Sequence, residues 1–119
     1  MSARAIERGC LRLGPSLAIA AALMLPAGTT HADPVKLSIT IKDQKFDPAE
    51  LHAPAGQPIE IEVKNLNSIV SEFESADLHF EKIVPAGGQG AIYVRPLQPG
   101  RYNFYDDFHH ATQGYLIVP

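Results

Sequence analysis

Carboxylate and imidazole side chains near the C-terminus are the residues of this chain best suited to chemistry. They end a stretch in which Tyr102, Phe104 and Asp106 alternate with other residues, so these three side chains share one face of a strand. The two rings mark that face as buried, and a carboxylate at its end needs a hydrogen-bond donor, a cation or a metal. His109 can fold back beside Asp106. We expect a metal site anchored by His109; the alternative is an Asp106 that caps a turn and a solvated His109.

Further side chains with oxygen or imidazole donors lie nearby or in an earlier segment. The additional candidate metal ligands are Asp107, Glu72, Glu74, His79 and Glu81. Carboxylates suit ferric iron, and imidazole suits ferrous iron and copper(II). A simpler interpretation stays open for two pairs. Glu72 and Glu74 share the face opposite Phe73 and fit the solvated side of a strand, and His79 and Glu81 fit a surface pair on a common face.

Short strands separated by turns must position these side chains. Apolar residues alternate with polar ones at residues 37–41 and 59–63, which predicts two half-buried strands. Further strands are predicted around Phe73 and at residues 78–84, 91–94, 102–106 and 114–118. No segment shows a sustained helical period, and ten prolines and nine glycines punctuate the strands. The spacing predicts an all-β sandwich or barrel.

Residues 1–32 have the features of a signal peptide. A basic start precedes an apolar stretch at residues 17–25, which is shorter than the roughly 20 residues of a membrane span. The run Thr30-His31-Ala32 predicts cleavage after Ala32. We expect export, in a bacterium to the periplasm, without membrane insertion of the mature chain. Cys10 is the one cysteine and lies in this leader, so the mature chain has no thiol.

The mature chain, residues 33–119, is long enough for one small domain. The leader holds three of the ten basic residues and one of the thirteen acidic ones, which leaves seven basic and twelve acidic residues and a net charge of −5. That charge argues against nucleic acid and anionic lipid as partners and is compatible with cations or basic surfaces. We find no set of nucleophile, base and orienting group, and no glycine-rich phosphate loop, so no hydrolase or transferase is indicated.

Several motifs together resemble the cupredoxin family over about eighty residues. The C-terminal half reads PGRYNFY at residues 99–105, then Asp106, His109 and a final GYLIV strand at residues 114–118. The N-terminal half contains FDP at residues 46–48, GQP at residues 56–58 and VKN at residues 63–65. The resemblance implies a Greek-key β-sandwich.

The chain departs from that family at the ligand positions that the resemblance implies. Ser71 stands at the first His position, Asp106 at the Cys position, and Thr112 or Gln113 at the Met position, so only His109 is retained. A blue-copper centre requires a thiolate ligand. The resemblance therefore implies a cupredoxin fold without a blue-copper site.

Three blocks are similar to the cupredoxin-like domains of bacterial iron-uptake systems. They are EFES at residues 72–75, DLHFEK at residues 77–82 and DDFH at residues 106–109. Such domains are fused to the periplasmic component of ferrous-iron permeases, or stand free beside an oxidase-dependent iron permease. The resemblance implies a periplasmic accessory protein that handles iron, copper or both and assists a permease or other iron-uptake components.

The expected function is metal binding and delivery rather than catalysis. A single domain without a sulfur ligand is a poor one-electron relay, although oxidation of ferrous iron with a partner stays open. The alternative is a metal-free interaction domain that kept the cupredoxin shape and lost the site. Clustered side chains of Glu72, Glu74, His79, Asp106 and His109 would favour metal binding. Dispersed carboxylates and a His109 bonded to the backbone would favour the interaction domain.

Overall fold

The computed structural model describes residues 9, 14–15 and 21–119, in which regular structure begins at Val35. Nine strands follow: β1 Val35–Lys42, β2 Lys45–Asp47, β3 Glu50–His52, β4 Ile59–Asn65, β5 Ser71–Ser75, β6 Phe80–Val84, β7 Gln89–Val94, β8 Gly100–Asp106 and β9 His109–Val118. Within the described residues no helix is long and apolar enough to cross a membrane. Much of the predicted leader lies outside the described residues, and cleavage after Ala32 stays a prediction.

The strands form two sheets that pack face to face. One sheet has the order β2-β1-β4-β7 and the other the order β3-β9-β8-β5-β6. Both sheets are mixed, because β1 runs parallel to β4 and β3 runs parallel to β9, whereas the remaining pairs are antiparallel. The predicted all-β sandwich is confirmed, and the candidate ligands lie on strands β5, β6, β8 and β9 of the five-stranded sheet or in the turns beside them.

Alternation along the strands buries one face of each sheet, as the pattern predicts. Phe46, Phe73 and Phe104 meet edge to face in the core, with ring centroids 5.1 to 5.6 Å apart. Such contacts add a geometric preference to the apolar area that the rings bury. Phe73 and Phe104 belong to the neighbouring strands β5 and β8. The aromatic rings in the core therefore hold β5 and β8, which carry several of the candidate ligands, against each other.

Four strands, β2, β3, β6 and β9, differ from the sequence expectation. Strands β2 and β3 were not predicted. Each has only three residues, of which one is buried, and this is too short for an alternating pattern to be detected. Strand β9 begins at His109 rather than at Gly114, since the chain reverses over Asp107 and Phe108 alone. Strand β6 begins at Phe80, and His79 lies in the preceding turn with φ of 58°. The expectation that His79 and Glu81 share a strand face was wrong.

Candidate metal centre

Asp106 is the last residue of β8 and lies at the inner end of the strand, with 1% of its surface exposed. Its Oδ1 atom accepts hydrogen bonds from the amide of Glu72 at 3.1 Å and from the amide of Phe108 at 3.0 Å. Its Oδ2 atom lies 3.2 Å from Nδ1 of His109. The protein itself therefore supplies the partners that a buried carboxylate requires.

His109 does fold back beside Asp106, as the spacing of the two residues predicts. It is the cross-strand partner of Asp106 where β8 turns into β9, and a quarter of its side chain is exposed. The contact to Asp106 occupies Nδ1 and leaves Nε2 as the ring atom available to a ligand. A carboxylate in this position fixes the orientation of an imidazole. The pair needs no metal to be satisfied, and the metal-anchoring role of His109 stays a prediction.

The carboxylates that the structure brings together lie on the opposite, outer face of the five-stranded sheet. Glu72 and Glu74 project there because Phe73 between them points into the core. Asp107, in the turn after β8, joins them, and its amide donates to the carbonyl of Glu72 at 2.9 Å. One carboxylate oxygen from each of the three residues lies within 4.8 Å of the others. We call Glu72, Glu74 and Asp107 the outer-face cluster.

Glu72 is the most buried member of the outer-face cluster, with only 7% of its surface exposed. Within the described residues no Lys, Arg or His pairs with its carboxylate. A hydrogen bond with Glu81, burial, and the charges of Glu81, Asp107 and Glu74 raise the pKa of Glu72 to about 7. Such a group is stabilised by a proton or by a cation held among the carboxylates.

The titration of Glu72 is expected to lower the stability of the protein as the pH rises from about 4.5 to about 7. Glu72 has its ordinary pKa of 4.5 in the unfolded chain and a value of about 7 in the folded one. The folded state binds more protons within this window, so the free energy of unfolding decreases with pH. The destabilisation is absent below the window and complete above it.

Thermal unfolding across that window, measured for the parent and for Glu72→Gln, checks this expectation. The other carboxylates are present in both proteins, so the difference between the two curves reports the titration of Glu72 and its interaction with Glu74, Glu81 and Asp107. The parent is expected to lose more stability than Glu72→Gln between the two ends of the window. Parallel curves for the two proteins would show that Glu72 has an ordinary pKa.

The other four predicted ligands do not belong to the outer-face cluster. Glu81 is exposed and pairs across the strands with Glu74, so it extends the acidic surface towards β6. His79 is exposed and lines an open pocket together with Glu74 and Glu81. Asp106 and His109 belong to the buried pair at the end of the sandwich. The structure thus divides the predicted ligands between two places.

Two further residues, Tyr105 and His110, stand beside the outer-face cluster. Tyr105 is the cross-strand partner of Glu74. Burial, followed by the charge of Glu74 and a hydrogen bond with it, raises the pKa of Tyr105. His110 lies 3.2 Å from Asp107 and meets the Tyr105 ring edge-on, with centroids 6.4 Å apart. Alternation along β8 predicts from the sequence that Tyr105 points away from the core, because Phe104 next to it is buried. That Tyr105 lies across from Glu74 is known only from the pairing of β8 with β5.

A protein-family model described as Cupredoxin-like domain matches residues 15–118. The chain belongs to this family. It is also 41% identical over 90 residues to the uncharacterized protein RP394 of Rickettsia prowazekii (strain Madrid E), a match that covers 75% of this chain and 72% of that protein. The predicted cupredoxin resemblance is thereby confirmed at the level of the family.

Solved cupredoxin-type structures share the fold of this cupredoxin-like domain. The metal-binding domain of the Cu(I)-exporting P-type ATPase CopA of Streptococcus pneumoniae D39 superimposes with a TM-score of 0.65 and 19% identity, covering 71% of this chain and 84% of that one. A purple cupredoxin from Nitrosopumilus maritimus gives a TM-score of 0.53 and 20% identity, covering 70% of this chain and 99% of that one. Identities this low establish the fold alone.

A blue-copper centre does not fit the residues of this cupredoxin-like domain. At the positions that the resemblance assigns to ligands, Asp106 is fully hydrogen-bonded, and the hydroxyl of Thr112 donates to the carbonyl of Gln44. The hydroxyl of Ser71 is buried without a hydrogen-bond partner among the described residues. None of these oxygen donors supplies the thiolate that such a centre requires. Asp106 and Thr112 thus take part in the protein's own hydrogen bonding, whereas the hydroxyl of Ser71 does not.

Proposed function

We propose that this cupredoxin-like domain binds a metal ion, iron or copper, through the carboxylates of the outer-face cluster. The observation that carries the proposal is the carboxylate of Glu72, which is 7% exposed, has two further carboxylates within 4.8 Å and pairs with no Lys, Arg or His of the described residues. Placing three like charges together is unfavourable unless a cation or protons compensate them. An all-oxygen set favours hard cations over soft ones.

We further propose that the domain acts in the periplasm as an accessory of iron uptake and delivers its metal to a permease. Two observations support this role. The residues of the outer-face cluster fall within the sequence blocks that resemble iron-uptake cupredoxins, at residues 72–75 and 106–109. The members of the cluster also lie on a partly accessible sheet surface, where an ion can be exchanged without unfolding the sandwich. We propose delivery of the metal rather than oxidation of iron, because the outer-face cluster contains no sulfur ligand that could relay an electron.

A metal-free interaction domain is the second candidate, and one observation favours it. The Asp106–His109 pair is satisfied within the protein, so the end of the sandwich that carries ligands in cupredoxins requires no ion. Ile69, Val70 and Phe108, which lie in the segments leading into β5 and β9, are 40% to 48% exposed. Exposed apolar side chains of this kind suit contact with another protein.

Metal titration of the purified protein, expressed from its full coding sequence, distinguishes the two candidates. Cu(II), Fe(II) under anaerobic conditions and Fe(III) as a weak chelate are added in turn, and heat of binding and bound metal are measured. We expect about one equivalent of at least one of these ions to bind, without the intense blue band of a copper–thiolate site. No binding of any of the three ions would leave the interaction domain as the better interpretation.

The iron-uptake role needs a cellular test. A strain that lacks the gene is expected to take up iron more slowly under iron limitation. Complementation with the parent gene should restore uptake, and complementation with Glu72→Gln should not. Normal uptake in the deletion strain would contradict the role in iron uptake while leaving metal binding in place.

A further inference from the structure

Large exposed apolar side chains of the folded domain concentrate at one end of the sandwich. Between Val35 and Pro119, six such side chains are exposed by 40% or more, and five of them lie at the end where β5 begins. The five are Leu66, Ile69, Val70, Ile83 and Phe108, which we call the apolar end patch. Tyr93, the sixth, lies on β7 of the four-stranded sheet. Single exposed apolar residues are ordinary, but a group of five at one place marks a contact surface.

Backbone contacts bring the three segments that carry the apolar end patch to this end. The loop of residues 66–70 leads directly into Ser71, the first residue of β5. Ser71 pairs with Val84, the neighbour of Ile83 at the end of β6. The turn with Phe108 adjoins the start of the same strand, because its amide and the amide of the second β5 residue donate to one carboxylate oxygen, at 3.0 and 3.1 Å. The patch therefore combines residues that are distant in sequence.

The loop that supplies three members of the patch has its backbone held in place by a buried side chain. Asn65 is fully buried, and its amide nitrogen donates to the carbonyl of Ile69 at 2.8 Å and to the carbonyl of Val84 at 3.1 Å. Its Oδ1 atom accepts from the amide of Asn67 at 2.9 Å. A surface that is ordered beforehand loses less conformational entropy when a partner binds. The loop thus presents its apolar side chains in a form suited to recognition.

Carboxylates border the apolar end patch on the side of the five-stranded sheet. We call Glu72, Glu74, Glu81 and Asp107 the acidic border. Glu72 is the cross-strand partner of Ile83, and Asp107 precedes Phe108 in the β8–β9 turn. Within the described residues no Lys or Arg forms an ion pair with the acidic border, and His110 alone pairs with one of its members. Residues 33–119 contain seven basic and twelve acidic residues, so the whole domain adds to this negative potential.

We propose that the apolar end patch docks a partner protein whose contact surface has an apolar centre with lysine or arginine side chains beside it. Protein interfaces combine an apolar core with a polar rim, and opposite charges across the rim steer association. A second copy of this domain carries the same negative charge, and an anionic lipid surface would face the same carboxylates, so charge disfavours both. Docking at this patch requires no metal in the outer-face cluster and so goes beyond the proposed function.

A synthetic amphipathic peptide with one leucine face and one lysine face serves as the probe. It is titrated into the ¹⁵N-labelled protein, expressed from its full coding sequence, in the presence of a chelator, and amide shifts are followed by NMR. We expect the shifts to concentrate at the apolar end patch and the acidic border, and the affinity to fall as salt is raised. Peptides with glutamate for lysine, or serine for leucine, should bind at least about tenfold more weakly. Equal binding of the three peptides, or shifts spread over the four-stranded sheet, would overturn the proposal.

Matched variants separate the apolar and the charged contributions. Phe108→Ser should weaken binding of the leucine–lysine peptide about fivefold or more, as truncation of an interface anchor does. Tyr93→Ser is its control, because Tyr93 is even more exposed but lies on the other sheet. Glu81→Lys should weaken binding, whereas Glu62→Lys, the same change in charge on β4 of the other sheet, should not. Equal losses within either pair would contradict a defined docking surface.

Photo-cross-linking in the cells that produce the protein tests the surface against its natural partner. A benzophenone amino acid is introduced in place of Phe108 or, as the control, in place of Tyr93. We expect a cross-linked protein from the first position and not from the second, and its loss when Glu81→Lys is added. Cross-links to a second copy of the chain, to lipid alone or to nothing would overturn the proposal, as would a cross-link that persists with Glu81→Lys.

Discussion

Replacing Glu72 and Glu74 together by glutamine is expected to weaken metal binding by about 100-fold or more. The two changes remove two of the three charged ligands of the outer-face cluster and keep the size of the side chains. Removing a single outer-shell partner of a metal site already costs about 10- to 100-fold. The variant should also unfold at a higher temperature than the metal-free parent near pH 8, because fewer like charges oppose one another. Isothermal titration and thermal unfolding provide the two readouts.

Strand β4 offers a matched control for this double variant. Glu60 and Glu62 flank the buried Ile61, as Glu72 and Glu74 flank Phe73, but they lie on the other sheet. The Glu60→Gln, Glu62→Gln double variant makes the same change in charge and should bind metal as the parent does. Equal losses in the two double variants would show that general electrostatic attraction, rather than a defined site, holds the ion.

The second large effect is expected at Asp106. Replacing it by alanine should lower the free energy of unfolding by about 3 kcal/mol, because the buried amides of Glu72 and Phe108 lose their acceptor and His109 loses its partner. Chemical denaturation of the metal-free protein measures this loss. The account predicts that the carboxylate stabilises the fold where the resemblance places a cupredoxin metal ligand.

Asp77 provides the comparison for Asp106. Its carboxylate also accepts a backbone hydrogen bond, from the amide of Asn103 at 2.9 Å, but in an exposed position. Asp77→Ala should therefore cost no more than about 1 kcal/mol. If Asp106→Ala costs as little as Asp77→Ala, Asp106 does not have the structural role that its contacts indicate.

Much of the fold could be predicted from alternation along the chain. Residues 37–41 and 59–63 alternate over enough positions to show which side is buried. Strand β3 has only Leu51 facing the core, and a single buried residue carries no period. His79 was misplaced for a related reason: the alternation that holds from Phe80 onward was extended into a turn with positive φ. Sequence patterns predict long strands well and leave the points where strands begin and end uncertain.

In the candidate site, contacts between residues close in sequence could be predicted, whereas contacts between distant segments could not. The proximity of Asp106 and His109 could be predicted because the two residues lie three positions apart in one hairpin. The approach of Asp107 to Glu72 depends on the pairing of β8 with β5, which joins segments more than thirty residues apart. The burial of Glu72 has the same origin. A glutamate on the outward face of a strand is ordinarily solvated, and the alternation along β5 does not reveal that Asp107 and Glu81 lie beside Glu72.

Anomalous X-ray scattering locates the bound metal and so decides whether the outer-face cluster is the metal site. Crystals of the protein loaded with Fe(III) or Cu(II) would be measured at the absorption edge of the metal. The account predicts an anomalous peak on the outer face of the five-stranded sheet, in contact with the carboxylates of Glu72, Glu74 and Asp107. A peak beside His109 at the end of the sandwich, with none at the outer-face cluster, would contradict it.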